Sequence, residues 1–239
     1  MSELQALLDV QRLDNTIDQL RFKHDNLAER AAIAETKAEL ATLNDGAAEA
    51  ENARDDLRRR ERDLEAQASD FREKADDFDK KLYGGAITSP KEATVMTEEI
   101  KSLRTRATDL DDQALELMVE IEPLDEALVF TEAKRGELEA QIESLQKDLA
   151  ANEAELDAEI AATEAERAAA AEPVDDALLE NYRRLRITYG PRAVVEFDPN
   201  KDGGCPVAMS AVELDRWKHL PAGTLENCVD CGRLVAKLV

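Results

Sequence analysis

Three cysteines, all within the last 35 residues of the 239-residue chain, are the side chains best suited to chemistry. Cys228 and Cys231 belong to a Cys-x-x-Cys-Gly run, in which two sulfurs on a tight turn can face one metal ion. Cys205 ends the run Lys201-Asp202-Gly203-Gly204-Cys205. A structural zinc site normally uses two Cys-x-x-Cys pairs, and position 202 holds aspartate where the fourth cysteine would stand.

Aspartate is able to replace that cysteine, because zinc accepts carboxylate oxygen and the formal charge of the ligand set is unchanged. The sequence therefore predicts one structural zinc ion held by Cys205, Cys228, Cys231 and Asp202. Two alternatives stay open: zinc held by the three cysteines with water or His219, and a ribbon that has lost its metal. Clustered cysteines without a secretion signal indicate metal ligands before disulfides, which favours a cytoplasmic location.

Composition and charge exclude several classes of function. The sequence has no Ser/His/Asp set, no phosphate-binding glycine loop and no His-Glu-x-x-His motif, so we expect no enzymatic activity. No stretch approaches the ~20 apolar residues of a membrane span. The net charge is −23, of which residues 173–239 carry only −1, so the remaining part repels phosphate backbones. Charged residues at 36% and aromatic residues at 4% are typical of long helices or coiled coil.

Apolar residues at alternating spacings of three and four predict the element that precedes the cysteines. The clearest run extends over residues 96–156, and a less strict one covers residues 10–82. A sustained 3.5-residue period is the seam of a left-handed coiled coil. A Gly-Gly pair ends the first run, and Ser89-Pro90-Lys91-Glu92 is a helix start. Residues 1–172 are therefore predicted to form an antiparallel hairpin with its tip at residues 83–88.

Two helix-weakening residues lie at the same level of the predicted hairpin, one on each arm. Gly46 and Pro123 lie equally far from the turn at Gly84-Gly85, so we expect a shared kink near them. The predicted fold is mainly α, with a long kinked antiparallel coiled-coil hairpin followed by a small zinc-ribbon-like β domain at residues 173–239. In that second domain the sequence predicts a helix at 177–185 or slightly beyond, which Tyr189-Gly190-Pro191 breaks. A strand at 193–197, a short helix or turn at 210–220 and a closing strand at 233–239 are predicted to follow.

The tip of the hairpin offers candidate contacts for a protein partner. Tyr83, Ile87 and Thr88 lie at the turn, where two helices alone bury apolar groups poorly. The alternative is that Tyr83 and Ile87 simply close the end of the seam.

A basic and aromatic cluster in the tail is the candidate nucleic-acid site, because arginine with an aromatic ring can contact phosphate and stack on a base. The cluster consists of Tyr182, Arg183, Arg184, Arg186 and Arg192. The alternative, which we favour, is that these arginines pair with acidic residues of the hairpin, since a binding face usually shows a clear basic excess.

The order of these motifs resembles the bacterial C4-type zinc-ribbon proteins with an N-terminal coiled-coil hairpin. The resemblance rests on the Gly-rich tip followed by Ser-Pro-Lys-Glu, the segment 178–186 and the terminal run 228–234. Cys205 matches the second cysteine of the family's first knuckle, and Asp202 stands at the first. The resemblance implies a non-enzymatic protein that binds nucleic acid, or an adaptor or chaperone for transcription, secretion or flagellar machinery.

We therefore expect an adaptor or chaperone-like protein that binds partner proteins through the coiled-coil hairpin and the ribbon. The alternative is a regulatory protein that binds RNA or DNA through its ribbon. A homodimer is also compatible with the sequence, because coiled-coil seams with many alanines can bury a further helix.

Overall fold

The computed structural model describes residues 2–85 and 87–238, apart from the side chain of Asp202. The fold is mainly α, with long antiparallel helices and a small C-terminal sheet, as predicted. The helices are α1 (Glu3–Asp25), α2 (Ala28–Tyr83), α3 (Pro90–Ala171), α4 (Asp176–Tyr189) and α5 (Ala211–His219). The strands are β1 (Val194–Glu196), β2 (Leu225–Asn227) and β3 (Leu234–Ala236), and 3-10 turns cover Gly190–Arg192 and Asp202–Gly204.

Contacts divide the chain into two compact units, which are Met1–Ala31 with Gln146–Val239, and Ala32–Leu145. Since the C-terminal segment shares its core with the N-terminal helix, these units differ from the predicted domains 1–172 and 173–239, which stay a prediction. Along the described helices, none is long and apolar enough to cross a membrane.

In the unit Ala32–Leu145, α2 and α3 pack antiparallel along the predicted seam. The buried seam positions of α3 in this unit are Ile100, Leu103, Ala107, Ala114, Leu117, Ile121 and Leu138. Ion pairs cross between the helices from Arg58 to Asp125, from Arg72 to Asp111 and from Arg104 to Asp79. Most of these groups are substantially exposed, so the apolar seam, rather than the ion pairs, holds the two helices together.

The first arm of the hairpin has a break that its heptad pattern did not predict. Asn26 and Leu27 separate α1 from α2. Asn26 caps α1, because both its backbone N–H (3.1 Å) and its side-chain amide (2.7 Å) donate to the carbonyl of Phe22. The helices α2 and α3 continue through Gly46 and Pro123. The shared kink at these two residues stays a prediction.

In the other unit, α1 packs on the C-terminal segment. Their common core contains Leu4, Leu7 and Val10 of α1, Leu179 and Tyr182 of α4, and Val194 and Leu234 of the sheet. Gln11 is buried beside β1, where its amide nitrogen donates to the carbonyl of Val194 and its amide oxygen accepts from the Val194 N–H, both at 2.7 Å. The edge of the sheet is therefore paired with a side chain of the first helix.

The sheet has the order β1-β3-β2, with β3 parallel to β1 and antiparallel to β2. The predicted strands at 193–197 and 233–239 contain β1 and β3, whereas β2 was not predicted. The side chain of Asp175 caps the start of α4, because it accepts from the N–H of Ala177 at 2.9 Å. The helix ends at Tyr189, at the break predicted for Tyr189-Gly190-Pro191, and Gly190 adopts a positive φ of 65°.

Candidate functional site

The three cysteines meet beside the small sheet. Cys205 follows the second 3-10 turn, and Cys228 and Cys231 lie in the loop between β2 and β3. Their Sγ atoms all lie within 4.8 Å of one another. Cys205 and Cys228 are buried, and Cys231 is half-buried. Tetrahedral zinc with Zn–S bonds of about 2.3 Å sets its sulfurs roughly 3.8 Å apart, so this thiol cluster fits one metal ion.

Backbone hydrogen bonds shape the loop that carries Cys228 and Cys231. The N–H of Gly232 donates to the carbonyl of Cys228, and the N–H of Cys228 donates to the carbonyl of Arg233, both at 2.8 Å. Gly232 has a φ of +74°, and a Cβ at this position would collide with the hydroxyl of Tyr189. Only glycine fits this turn without strain.

The loop before Cys205 is equally constrained. The N–H groups of Gly203 and Gly204 donate to the carbonyls of Asp198 (3.0 Å) and Lys201 (2.9 Å). A Cβ on Gly204 would strike the carbonyl of Glu196. The two glycines therefore let this loop pass close to β1, and Cys205 emerges from it toward the other two thiols.

The surroundings of the thiols act differently on their acidity. Burial raises the pKa of Cys205, and its hydrogen bonds and repulsion with the two neighbouring thiols raise it further. Burial also opposes ionisation of Cys231, but hydrogen bonds from the backbone and side chain of Arg233 outweigh it and lower the pKa of that thiol. A cation among the three sulfurs would favour the thiolate forms of all of them.

The two other predicted ligands have different outcomes. Asp202 lies in the 3-10 turn before Cys205, but its side chain lies outside the described part of the structure, so its role as a ligand stays a prediction. His219 is not part of the thiol cluster. Its exposed ring lies at the end of α5, where Nδ1 is 2.8 Å from the carbonyl of Asp215. Coordination by His219 is therefore not favoured by this geometry.

A compact core supports the thiol cluster. Trp217 is fully buried and stacks on Phe197 with a centroid distance of 5.5 Å. The indole N–H donates to Glu213 at 2.9 Å. Arg216 also bonds Glu213 and holds the pKa of this carboxyl below its ordinary value. Hydrophobic periodicity alone does not predict this buried network.

The five residues of the candidate nucleic-acid cluster make different kinds of contact in the structure. Tyr182 is fully buried, and its hydroxyl donates to Asp14 at 2.8 Å. Arg186 donates to Asn15 at 2.8 Å and to Asp18 at 2.5 Å. These two residues connect α4 to α1, in agreement with the alternative that the arginines pair with acidic residues of the hairpin. The ring of Tyr182 has no exposed face on which a base could stack.

The other three arginines make local contacts. Arg183 pairs with Glu180 at 3.3 Å, and Arg184 donates to Asn181 at 2.8 Å, so both partners lie on α4 itself. Arg192 donates to the carbonyl of Gly204 at 3.1 Å. Nucleic-acid binding by these arginines stays a prediction.

The tip of the hairpin carries an apolar groove. Tyr83 is 84% exposed, Thr88 is exposed and Ile87 is half-buried. Ile87 lines a groove of about 660 Å³ together with Phe78, Ser89, Lys91, Glu92, Val95, Met96 and Glu99. The seam pattern assigned Phe78 and Met96 to the core, whereas here they also form the floor of this groove.

A helical hairpin with a small sheet and a thiol cluster defines a coiled-coil hairpin protein with a C-terminal module. The model of the CT398-like coiled coil hairpin domain matches residues 10–190. The chain belongs to this family. The matched range ends before Cys205, so the C4 zinc-ribbon part of the resemblance stays a prediction.

Solved structures share the fold over nearly the whole chain. A protein from Mycobacterium smegmatis is 23% identical with a TM-score of 0.85, and the match covers 99% of this chain and 98% of that one. CT398 from Chlamydia trachomatis is 19% identical with a TM-score of 0.68, and HP0958 from Helicobacter pylori is 18% identical with a TM-score of 0.51. Both matches cover 98% of this chain and 97% of the other. No curated protein matches the sequence.

Proposed function

We propose that this protein is a non-enzymatic adaptor that binds partner proteins through its helical hairpin, with the C-terminal module as a second docking surface. The groove at the tip of the hairpin carries this proposal. Its apolar side chains lie at a turn where no further helix covers them among the described residues, and Val95 is 60% exposed. Exposed apolar surface with a polar rim is typical of protein-interaction sites.

The rim of the groove favours a peptide as its ligand. Lys91, Glu92 and Glu99 line the groove beside its apolar residues, so both signs of charge are available to orient a bound segment. Apolar side chains of the partner would contact the apolar residues of the groove and the exposed ring of Tyr83.

We further propose that the thiol cluster binds zinc, with Asp202 as the fourth ligand. The proximity of three sulfurs supports a thiolate-rich site, and zinc is the metal that prefers such ligands with tetrahedral geometry. Co²⁺ substitution tests the ligand set, since each thiolate contributes a ligand-to-metal charge-transfer band. We expect Asp202→Cys to strengthen these bands and Asp202→Ala to weaken metal binding. Unchanged spectra and affinity in both variants would remove Asp202 from the site.

The adaptor function is tested by mild cross-linking and purification of the tagged protein from its own cells, with and without nuclease. The test variant is Tyr83→Ser/Ile87→Asp at the tip. Phe22→Ser, which changes an apolar side chain that is 70% exposed on α1, outside the tip and the C-terminal module, is the matched control. We expect a defined protein partner that survives nuclease, persists with the control variant and is lost with the tip variant.

Two results would contradict this proposal. Recovery of RNA or DNA, with the partners vanishing after nuclease, would favour the nucleic-acid alternative and direct attention to Arg183, Arg184 and Arg192. Partners that are retained equally by the tip variant and the wild type would remove the groove from the binding surface.

A further inference from the structure

The helix α3 exposes a second row of apolar side chains in the middle of the unit Ala32–Leu145. Five large residues are between 48% and 73% exposed: Leu115, Met118, Val119, Val129 and Phe130. Together these residues expose on the order of 500 Å², divided between one group at residues 115–119 and another at residues 129–130. Single exposed apolar residues are common, but five within four to five helical turns are not.

Leu115, Val119 and Val129 of this row fall on one coiled-coil seam, and Met118 and Phe130 flank it. We define the second seam as the exposed positions that follow one another at intervals of four and three: Leu115, Val119, Glu122, Glu126, Val129, Ala133, Gly136 and Ala140. The buried seam contains Ala114, Leu117 and Ile121, which point away from it by more than a third of a turn. One face of α3 therefore packs on α2, and another is available for a further helix.

The centre of the second seam is acidic. Glu122 and Glu126 are exposed, and no ion pair between described residues includes either of them. Pro123 has no N–H, so the carbonyl of Val119 lacks its helical donor. The seam therefore offers apolar surface at both ends and only hydrogen-bond acceptors between them.

We propose that the second seam binds a basic amphipathic helix. Such a helix places apolar side chains against Leu115 and Val119 at one end and against Val129 and Phe130 at the other. Its arginine or lysine side chains meet the two central glutamates. The small residues Ala133, Gly136 and Ala140 let the two backbones approach closely at the C-terminal end of the seam. This inference rests on the adaptor function proposed above and names a partner class for one surface.

A second copy of this chain does not complement the charge of the second seam. The second seam contains no lysine or arginine. Pairing two copies with apolar residues opposite apolar residues sets Glu122 and Glu126 against carboxylates or against apolar side chains, and both arrangements are unfavourable. The high negative charge of the chain adds to this repulsion. Charge complementarity therefore selects a cationic partner.

The test uses the full chain and two labelled synthetic peptides of about 25 residues, the length of the seam. Both peptides carry leucine at the seam positions, and the two central seam positions hold arginine in one peptide and glutamate in the other. Fluorescence anisotropy measures their dissociation constants for the wild type and for Glu122→Lys/Glu126→Lys. Asp63→Lys/Glu65→Lys changes the charge equally at exposed positions of α2 and is the matched control.

We expect the wild type to bind the arginine peptide at least about tenfold more tightly than the glutamate peptide. Glu122→Lys/Glu126→Lys should reverse this preference, the α2 control should keep it, and Val129→Ser/Phe130→Ser should weaken binding about tenfold. Circular dichroism of each variant verifies that the helices are intact.

Three outcomes would overturn the inference. They are equal binding of the two peptides, a change of preference that is as large in the α2 control, and a dimer seen in sedimentation that Val129→Ser/Phe130→Ser abolishes. The adaptor function fails separately, when no protein partner is cross-linked in cells. A partner that is captured normally by Glu122→Lys/Glu126→Lys leaves the adaptor function in place and removes the second seam from it.

Discussion

Replacing Tyr182 by phenylalanine should destabilise the unit that contains the small sheet by about 1.5–2 kcal/mol, because a hydrogen bond to a charged group contributes roughly 1.5–3 kcal/mol. The phenolic hydroxyl donates to Asp14 at 2.8 Å and accepts from Arg186 at 3.2 Å, and the ring is fully buried. In the variant, Asp14 still accepts a 3.0 Å hydrogen bond from Arg167 and has limited access to water. The expected cost therefore lies at the lower end of that range. The ring of phenylalanine preserves the packing, so the substitution isolates the hydroxyl.

Urea unfolding followed by tryptophan fluorescence measures this loss. Trp217 is the single tryptophan of the chain and is buried in the core beside the sheet, so it reports on the unit of interest. Ile187→Val is the control, since that side chain is 88% exposed in the same unit. The control should change the free energy of unfolding by less than about 0.5 kcal/mol.

The pH dependence of the same experiment supplies a second readout. Burial raises the pKa of Tyr182 above its ordinary value, and the hydrogen bond to Asp14 raises it further. The folded state therefore favours the protonated hydroxyl. Its contribution is complete below pH about 10, the pKa of a tyrosine in an unfolded chain, and is lost as the pH rises beyond that value. Tyr182→Phe should lack this part of the alkaline loss of stability.

An unchanged free energy of unfolding in Tyr182→Phe would refute this prediction. It would mean that the hydrogen bonds of the hydroxyl in the folded protein are no more favourable than those it forms with water in the unfolded chain. An identical alkaline decline in wild type and variant would show that another group causes it.

Three further predictions concern the packing and the thiols. Gly232→Ala should cost about 1–3 kcal/mol because of its positive φ and the hydroxyl of Tyr189, and urea unfolding that matches the wild type would contradict the turn geometry. Leu7→Ala, at a fully buried position, should cost about 2–5 kcal/mol, whereas Val212→Ala, at a position that is 82% exposed in the same unit, should cost under about 0.5 kcal/mol in the same assay. Cys228→Ser should remove part of the thiolate bands of the Co²⁺-loaded protein, and retention of the full spectrum would exclude Cys228 as a ligand.

Much of the fold could be predicted because it follows from local periodicity. The 3.5-residue period located the buried seam of α3, and the proline of Ser-Pro-Lys-Glu marked the first residue of that helix. The break at Asn26 and Leu27 was missed, since it arises from a cap at the end of α1 and leaves the apolar spacing nearly intact. The strand β2 was missed for a related reason, because Leu225–Asn227 is too short to show alternation.

The candidate site was predictable in part. Cysteine spacing pointed to a thiol cluster, and the structure brings the three sulfurs together. The role of Tyr182 and Arg186 was not fixed by residue type, because the same side chains can bind a phosphate or a neighbouring carboxylate. Only the tertiary contact with Asp14 and Asp18 decides between these uses. The second seam was overlooked because the stronger period of the buried seam on the same helix dominates the pattern.

One of the two compact units is built from two separate segments of the chain, and this sets the order in which core contacts can form during synthesis. Ala32–Leu145 is a continuous segment and can form its contacts once it has left the ribosome, whereas α1 finds its core partners only after residues 174–236 have emerged. Until then the apolar face formed by Leu4, Leu7 and Val10 stays without those partners. A nascent chain that is halted before α4 would therefore display this face to chaperones, and completion of the C-terminus would withdraw it.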